Sequence, residues 1–245
     1  MPLTNQHAQI GETAVGKTSL DSRALFGEFL GSLLLTTIVV GSGIAAQQLS
    51  PGDTGLQLLE NAIATALGLA VLIVVLAPIS GAHFNPVVTL VDITLGHRPW
   101  RDALGYPAVQ VLGCITGAIL ANLMFAAPAV TISTSDRLSA AHLLAEVVAT
   151  AGLVLVIFVL AATGRSRYAP AAVGAYIGAA YFFTSSTSFA NPAITIGRMF
   201  TDSFAGIAPG SGIAFIGAQL LGGVIGLLLV LVLRLPPGRA ESALP

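Results

Sequence analysis

Charge is scarce in this sequence: 9% of its 245 residues are Asp, Glu, Lys or Arg, against about 25% in a soluble globular domain. That shortage excludes a fold that keeps most of its surface in water and makes lipid the natural solvent. The ten basic and eleven acidic residues leave a formal net charge of -1, so nothing draws the chain to a polyanion, and no nucleic acid partner is expected. Cysteine is nearly absent. Cys114 alone can form no intrachain disulfide and falls far short of the about four ligands of a structural zinc site; it reads as a small packing residue. No nucleophile stands with a base and no metal-ligating cluster is evident, so neither an intramembrane enzyme nor a cofactor is expected.

What the sequence has in abundance is apolar length. Hydrophobic residues make up 55% of the chain and the mean hydropathy is +0.88. A spanning helix needs about 20 apolar residues, because about 30 Å of hydrocarbon is crossed at about 1.5 Å per residue. Six windows qualify, at about 24–44, 58–78, 103–125, 142–162, 168–186 and 211–233, interrupted chiefly by Glu28, Glu60 and Glu146. An even count puts both termini on one side. On that side fall Lys17, Arg23, Arg98, Arg101, Arg165, Arg167, Arg234 and Arg239, while Arg137 and Arg198 fall on the other; this bias predicts cytoplasmic termini for a multi-pass protein of the inner (plasma) membrane. Residues 1–20 lack an apolar signal core and read as a disordered cytoplasmic tail, as do 236–245.

Two further apolar segments, about 79–95 and 187–201, are too short to span. Each contains Asn-Pro before a helix-compatible run, at Asn85-Pro86-Val87 and Asn191-Pro192-Ala193. Asn favours the N-cap and Pro the first helical position, whose N–H would be unpaired anyway. About 11 residues reach roughly 16 Å, so each segment reads as a half-helix that enters and leaves by one face.

The pattern occurs twice. Gln110, Gly113 and Gly117 match Gln219, Gly222 and Gly226 at an offset of 109, the two Asn at 106, and Glu28 and Glu146 at 118. Repeat one covers about 21–125 and repeat two about 140–233 of one domain at 21–235. Three helices per repeat force opposite orientations in the bilayer. The fold class is therefore all-α, six transmembrane helices plus two re-entrant half-helices in an inverted 3+3 repeat, with the half-helices meeting head to head.

Irregular backbone at membrane depth is tolerated where protein buries it or it lines a watery cavity. Both half-helices aim a positive N-terminus at the midplane, and the capping Asn side chains have NH₂ donors to spare. Water held by donors alone cannot relay protons, so neutral molecules would pass and ions would not. Gly81, Ala82, His83 and Phe84, and Thr187, Phe189 and Ala190 beside Ser188, offer backbone carbonyls along the path.

These residues resemble the aquaporin and aquaglyceroporin family. Ser80-Gly81-Ala82-His83-Phe84-Asn85-Pro86 is similar to its first signature, Phe189-Ala190-Asn191-Pro192-Ala193 to its second, and Gly27-Glu28-Phe29-Leu30-Gly31 to its first-helix motif. The resemblance implies a passive channel for water and small neutral solutes, assembled as a homotetramer in the lipid bilayer. It also implies that Glu28 and Glu146 brace the re-entrant loops, where the residues alone leave snorkelling open. Two departures stand out. Val87 replaces the usual Ala, and Ile194 stands where most members carry the filter Arg. By the same carry-over the other filter positions are Thr65, Ala179 and Ser188, a wide ring without fixed charge. Loss of that Arg resembles bacterial aquaglyceroporins associated with arsenic resistance, which implies arsenite or methylated arsenicals beside glycerol-like solutes. A secondary transporter with inverted repeats is the alternative.

Three residues admit two readings each. His83 either faces the inner vestibule or bonds to loop backbone. Arg198 and Asp92, each seven residues after an Asn, either flank the outer and inner ends of the pore or are helix-end charges turned to solvent, with Arg198 as a candidate outer-mouth charge.

Overall fold

The structure, a computed structural model, describes residues 21–233. The two tails, with Lys17, Arg234 and Arg239, lie outside the described residues. Eight α-helices follow one another with no strand among the described residues: α1 (Ser22–Leu49), α2 (Thr54–Ser80), α3 (Pro86–Thr94), α4 (Asp102–Met124), α5 (Ala140–Ala162), α6 (Ala169–Phe183), α7 (Pro192–Gly197) and α8 (Pro209–Leu233). Local chemistry sets their starts. Asp21, Asp53 and Ser139 accept from first-turn N–H groups of α1, α2 and α5. Asn85 and Asn191 do the same for α3 and α7, each with Pro at the first position. Helix α2 ends at Gly81, whose φ of 93° is left-handed and turns the chain into the re-entrant loop.

Five helices are long and apolar enough to cross a membrane: α1, α2, α4, α5 and α8. The window at 168–186 closes as a shorter helix. Helix α6 has 15 residues, preceded by a 3-10 turn at Ser166–Tyr168, and reaches about 22 Å. It stops at Thr184 because the backbone there turns extended to feed the loop into α7. The half-helices are also shorter than the sequence suggests: α3 has nine residues, and α7 has six before a 3-10 turn at Arg198–Phe200.

Helix α1 packs on α4 as α5 packs on α8, and α2 lies between α1 and α6. The small residues of the repeat make these crossings close. A Cβ at Gly113 or Gly117 would strike the backbone carbonyl of Phe29 or Leu33, and one at Gly222 or Gly226 would strike that of Val147 or Ala151. Polarity is distributed as lipid demands. Leu67, Val71 and Val74 of α2 and Leu221, Val224 and Leu228 of α8 face outward, whereas Glu28, Gln110, Glu146 and Gln219 are wholly buried.

Candidate functional site

Two buried carboxylates hold the re-entrant loops. Glu28 accepts from Ser80 Oγ (2.6 Å), from the N–H groups of His83 (3.0 Å) and Phe84 (2.7 Å), and from Gln110 Nε2 (2.7 Å). Glu146 accepts from the N–H groups of Phe189 and Ala190 (both 2.9 Å) and from Gln219 Nε2 (2.6 Å). Each Gln also donates to a half-helix threonine, Gln110 to Thr89 and Gln219 to Thr195, and each threonine donates to the carbonyl of its capping Asn. The snorkelling reading of Glu28 and Glu146 fails on this geometry, since loop N–H groups without water need such acceptors. The two Gln carry part of the job; the sequence marks them only as repeat positions.

The carboxylates also hold strained backbone. Ala82 and Phe84 have φ of 52° and 49°, and Ser188 and Ala190 have 50° and 47°. Non-glycine residues pay roughly 1–3 kcal/mol each for such geometry, which persists because several bonds fix it. The half-helices then lock to each other. Asn85 Nδ2 donates to the Ala190 carbonyl and Asn191 Nδ2 to the Phe84 carbonyl, both at 2.7 Å. The Oδ1 atoms cap α3 and α7, taking the N–H of Val87 at 2.9 Å and of Ala193 at 3.0 Å. One amide hydrogen of each Asn is thereby used and one is left without a partner among the described residues, where both Asn line a cavity.

That cavity, about 120 Å³, runs past both Asn from Ile157 and Ala169 at one end to Tyr181 and Arg198 at the other. Leu35, Val39, Leu69, Val173 and Ile177 make one wall apolar; Gly81, Ala82, His83, Ser188, Phe189 and Ala190 bring backbone to the other. Two of the seven expected ladder positions depart from it. Thr187 and Phe84 do not line the cavity. The Phe84 and Ala190 carbonyls are taken by the opposite Asn, because left-handed residues at 82 and 84 and at 187, 188 and 190 turn neighbouring carbonyls to different sides.

Of the four filter positions, Thr65, Ser188 and Ile194 line the cavity. Ala179 does not: it is exposed on α6. At about 100° per residue, the positions four apart, Ile177 and Tyr181, face inward, and a residue two away points to the far side. Tyr181 takes the place, its hydroxyl 3.1 Å from Thr65 Oγ1. Arg198, one turn beyond Ile194, is 2% exposed and lines the same cavity, so its reading as a solvent-facing charge fails. Val87 is buried, its Cγ1 where a Cβ on Gly223 of α8 would sit 2.5 Å away; the added methyls fill a glycine notch.

At the opposite end Asp92 is enclosed by bases. Its carboxylate lies 3.2 Å from His83 Nε2, 2.9 Å from His97 Nδ1 and 3.3 Å from Arg98 Nε. Arg98 also reaches the Ser80 carbonyl and, at 2.5 Å, Tyr106 Oη. Of the two readings of His83, the backbone-bonded one fails: the side chain lines the cavity, and its ring nitrogens meet Thr89 Oγ1 and Asp92. The sequence does not show this cluster, since only the fold brings His83 to Asp92 and Tyr106 to Arg98 and the Ser80 carbonyl.

Comparison with known proteins agrees with this architecture. The family model for the major intrinsic protein matches residues 16–189. A relative named aquaglyceroporin AqpS, from Rhizobium meliloti (strain 1021), is 48% identical over 210 residues, covering 85% of this chain and 89% of that one. Aquaporin-2 from Homo sapiens is 31% identical, covering 90% and 82%. Among solved structures, the X-ray structure of the aquaglyceroporin from Plasmodium falciparum superposes with a TM-score of 0.66 at 22% identity, covering 84% of this chain and 94% of that one, a likeness of fold. Paired half-helices, duplicated braces and a match that spans most of the chain leave one assignment: the chain belongs to the major intrinsic protein family.

Proposed function

We propose that this protein is a passive channel for water and small neutral solutes, with glycerol-like molecules, arsenite and methylated arsenicals as its solute range. One observation carries the reading: Asn85 and Asn191 each keep one N–H free beside a cavity that passes both. A water or hydroxyl at that point meets donors only. It can be held as an acceptor but cannot take up and hand on a proton, so neutral molecules cross where a proton wire breaks. The wall elsewhere is mostly apolar, which lets a solute leave as readily as it came.

Coupled transport is the weaker reading. A coupling ion needs an acidic group to bind it within the membrane, and the oxygens of Glu28 and Glu146 are already taken by loop and glutamine donors. The name of the AqpS relative supports solutes larger than water. So does Ile194, whose apolar side chain lines the cavity beside Thr65, Tyr181 and Ser188 and brings no donor to it. An inner-membrane location with both termini cytoplasmic follows from the bias of Arg and Lys, and a homotetramer with one pore per chain from the family.

Light scattering of proteoliposomes under water, glycerol and urea gradients tests the function, with trivalent arsenic uptake as a further solute. Ile194→Arg adds a bulky guanidinium to the cavity wall, and steric discrimination by a pocket is worth about tenfold or more per added group. The variant is expected to lower the ratio of glycerol to water permeability by about tenfold; an unchanged ratio removes position 194 from the filter. Accumulation of a solute against its gradient on imposing a proton or sodium gradient would overturn the channel reading.

A further inference from the structure

The duplication repeats one contact with different chemistry. An offset of 106 carries Asn85 to Asn191, and it also carries His83 to Phe189 and Asp92 to Arg198. In both halves the residue two before the Asn touches the residue seven after it. In the first repeat the contact is imidazole to carboxylate, His83 Nε2 to Asp92 at 3.2 Å. In the second it is a cation over a ring, with Arg198 Cζ 3.4 Å from the centroid of Phe189.

The charges at the two ends are treated oppositely. Asp92 is paired with the Arg98 guanidinium and touched by the imidazoles of His83 and His97. Arg198 has no carboxylate within 4.0 Å among the described residues; its Nε donates to the Ala205 carbonyl, and no protein acceptor among them takes its two terminal amino groups. A second guanidinium shares its ring, while the Glu146 carboxylate, held by loop and glutamine donors, is the acidic group whose charge also reaches it. Arg137 lies 5.6 Å from the same Phe189 ring and is held by the carbonyls of Gly206 (2.9 Å) and Phe204 (2.8 Å). Burying a guanidinium without a counter-charge is costly, and a side chain that only anchored a loop would need no charge. Arg198 is instead 2% exposed, fixed by ring and carbonyl, and set in the wall of the cavity.

We propose that Arg198 is the charge-selecting residue of the pore, so that this channel selects size at Thr65, Tyr181 and Ile194 and excludes cations one helical turn further along. The inference rests on the channel reading. A guanidinium fork at that level repels a cation before it reaches the apolar wall and offers N–H donors to the oxygen of a neutral solute. The Phe189 platform and the Ala205 carbonyl keep the fork at one height in the pore.

The test compares sodium and proton leak, each divided by water permeability, in proteoliposomes at matched protein density. Arg198→Gln keeps much of the shape and removes the charge; it is expected to raise the ratio by about tenfold, while Arg198→Lys stays within about threefold of the parent. The double variant Ile194→Arg/Arg198→Gln returns the charge one turn away and should bring the ratio back to within about threefold of the parent. A role confined to holding the Ala205 carbonyl would not be rescued in this way. An unchanged ratio in Arg198→Gln, equal leak from the Lys and Gln variants, or failure of the double variant to restore exclusion overturns the proposal. Should Arg198→Gln not reconstitute, Phe189→Leu removes the platform and leaves the charge: a rise of about threefold or more supports the proposal and no rise overturns it. Parent vesicles no more permeable to water than empty ones would show instead that the channel reading has failed.

Discussion

Val87 and Gly223 form a matched pair whose volumes sum in the opposite order from their repeat partners. The offset of 106 relates Val87 to Ala193, and the offset of 109 relates Gly223 to Cys114. Where α7 carries the smaller residue, α4 carries a thiol; where α3 carries the larger, α8 carries hydrogen. A Cβ at Gly223 would stand 2.5 Å from Val87 Cγ1, too close without movement, and overpacking a tight core costs typically about 1–3 kcal/mol. Gly223→Ala is therefore expected to lower stability by about 1–3 kcal/mol, and Val87→Ala added to it should recover most of that loss. The measurement is thermal unfolding of the two single variants and the double in detergent. Additive losses would mean that the two side chains do not share one space.

At the scale of elements, the half-helices depend on groups borrowed from spanning helices. Glu28 of α1 and Glu146 of α5 occupy corresponding places but carry different loads: four bonds for Glu28 and three for Glu146. A bond to a charged group contributes about 1.5–3 kcal/mol, and in either Gln variant one carboxylate oxygen becomes an NH₂ that faces a donor. Glu28→Gln and Glu146→Gln should each cost at least about 2 kcal/mol, Glu28→Gln the more, and both should cut water flux because the left-handed turns at 82–84 and 188–190 lose their hold. Unfolding in detergent and light scattering read the two effects; a variant with full stability and flux would show that the loops hold their shape without the brace.

The same elements show what a sequence can carry. The starts of α3 and α7 are legible because Asn at the cap and Pro at the first position are local chemistry. The paired glutamates are legible because charge within an apolar run is conspicuous. The face of α6 is not. That helix ends at Phe183, before its apolar window does, and the register that turns Tyr181 rather than Ala179 toward Thr65 is set by packing against α2. The Asp92 cluster is hidden for a similar reason: its partners His83, His97 and Arg98 come from the loops on either side of α3, and only the fold brings Arg98 and Tyr106 of α4 to Ser80.

For the whole molecule, spanning helices and half-helices share the wall of the pore. The buried faces of α1, α2, α5 and α6 surround the cavity, and both re-entrant segments line it. The outward faces of α2 and α8 carry Leu67, Val71, Leu221, Val224 and Leu228, apolar enough to meet lipid tails or another copy with little difference in solvation. Association in the bilayer would therefore draw on the shape of these faces. If the protein assembles as the homotetramer proposed above, permeability per chain should be the same for separated chains and for the assembly. Native mass spectrometry of reconstituted samples at graded lipid-to-protein ratios gives the distribution of assemblies, and light scattering of the same samples gives flux per chain. Flux that falls away as the assembly dissociates, with the chains still folded, would mean that a neighbouring subunit holds part of the cavity open.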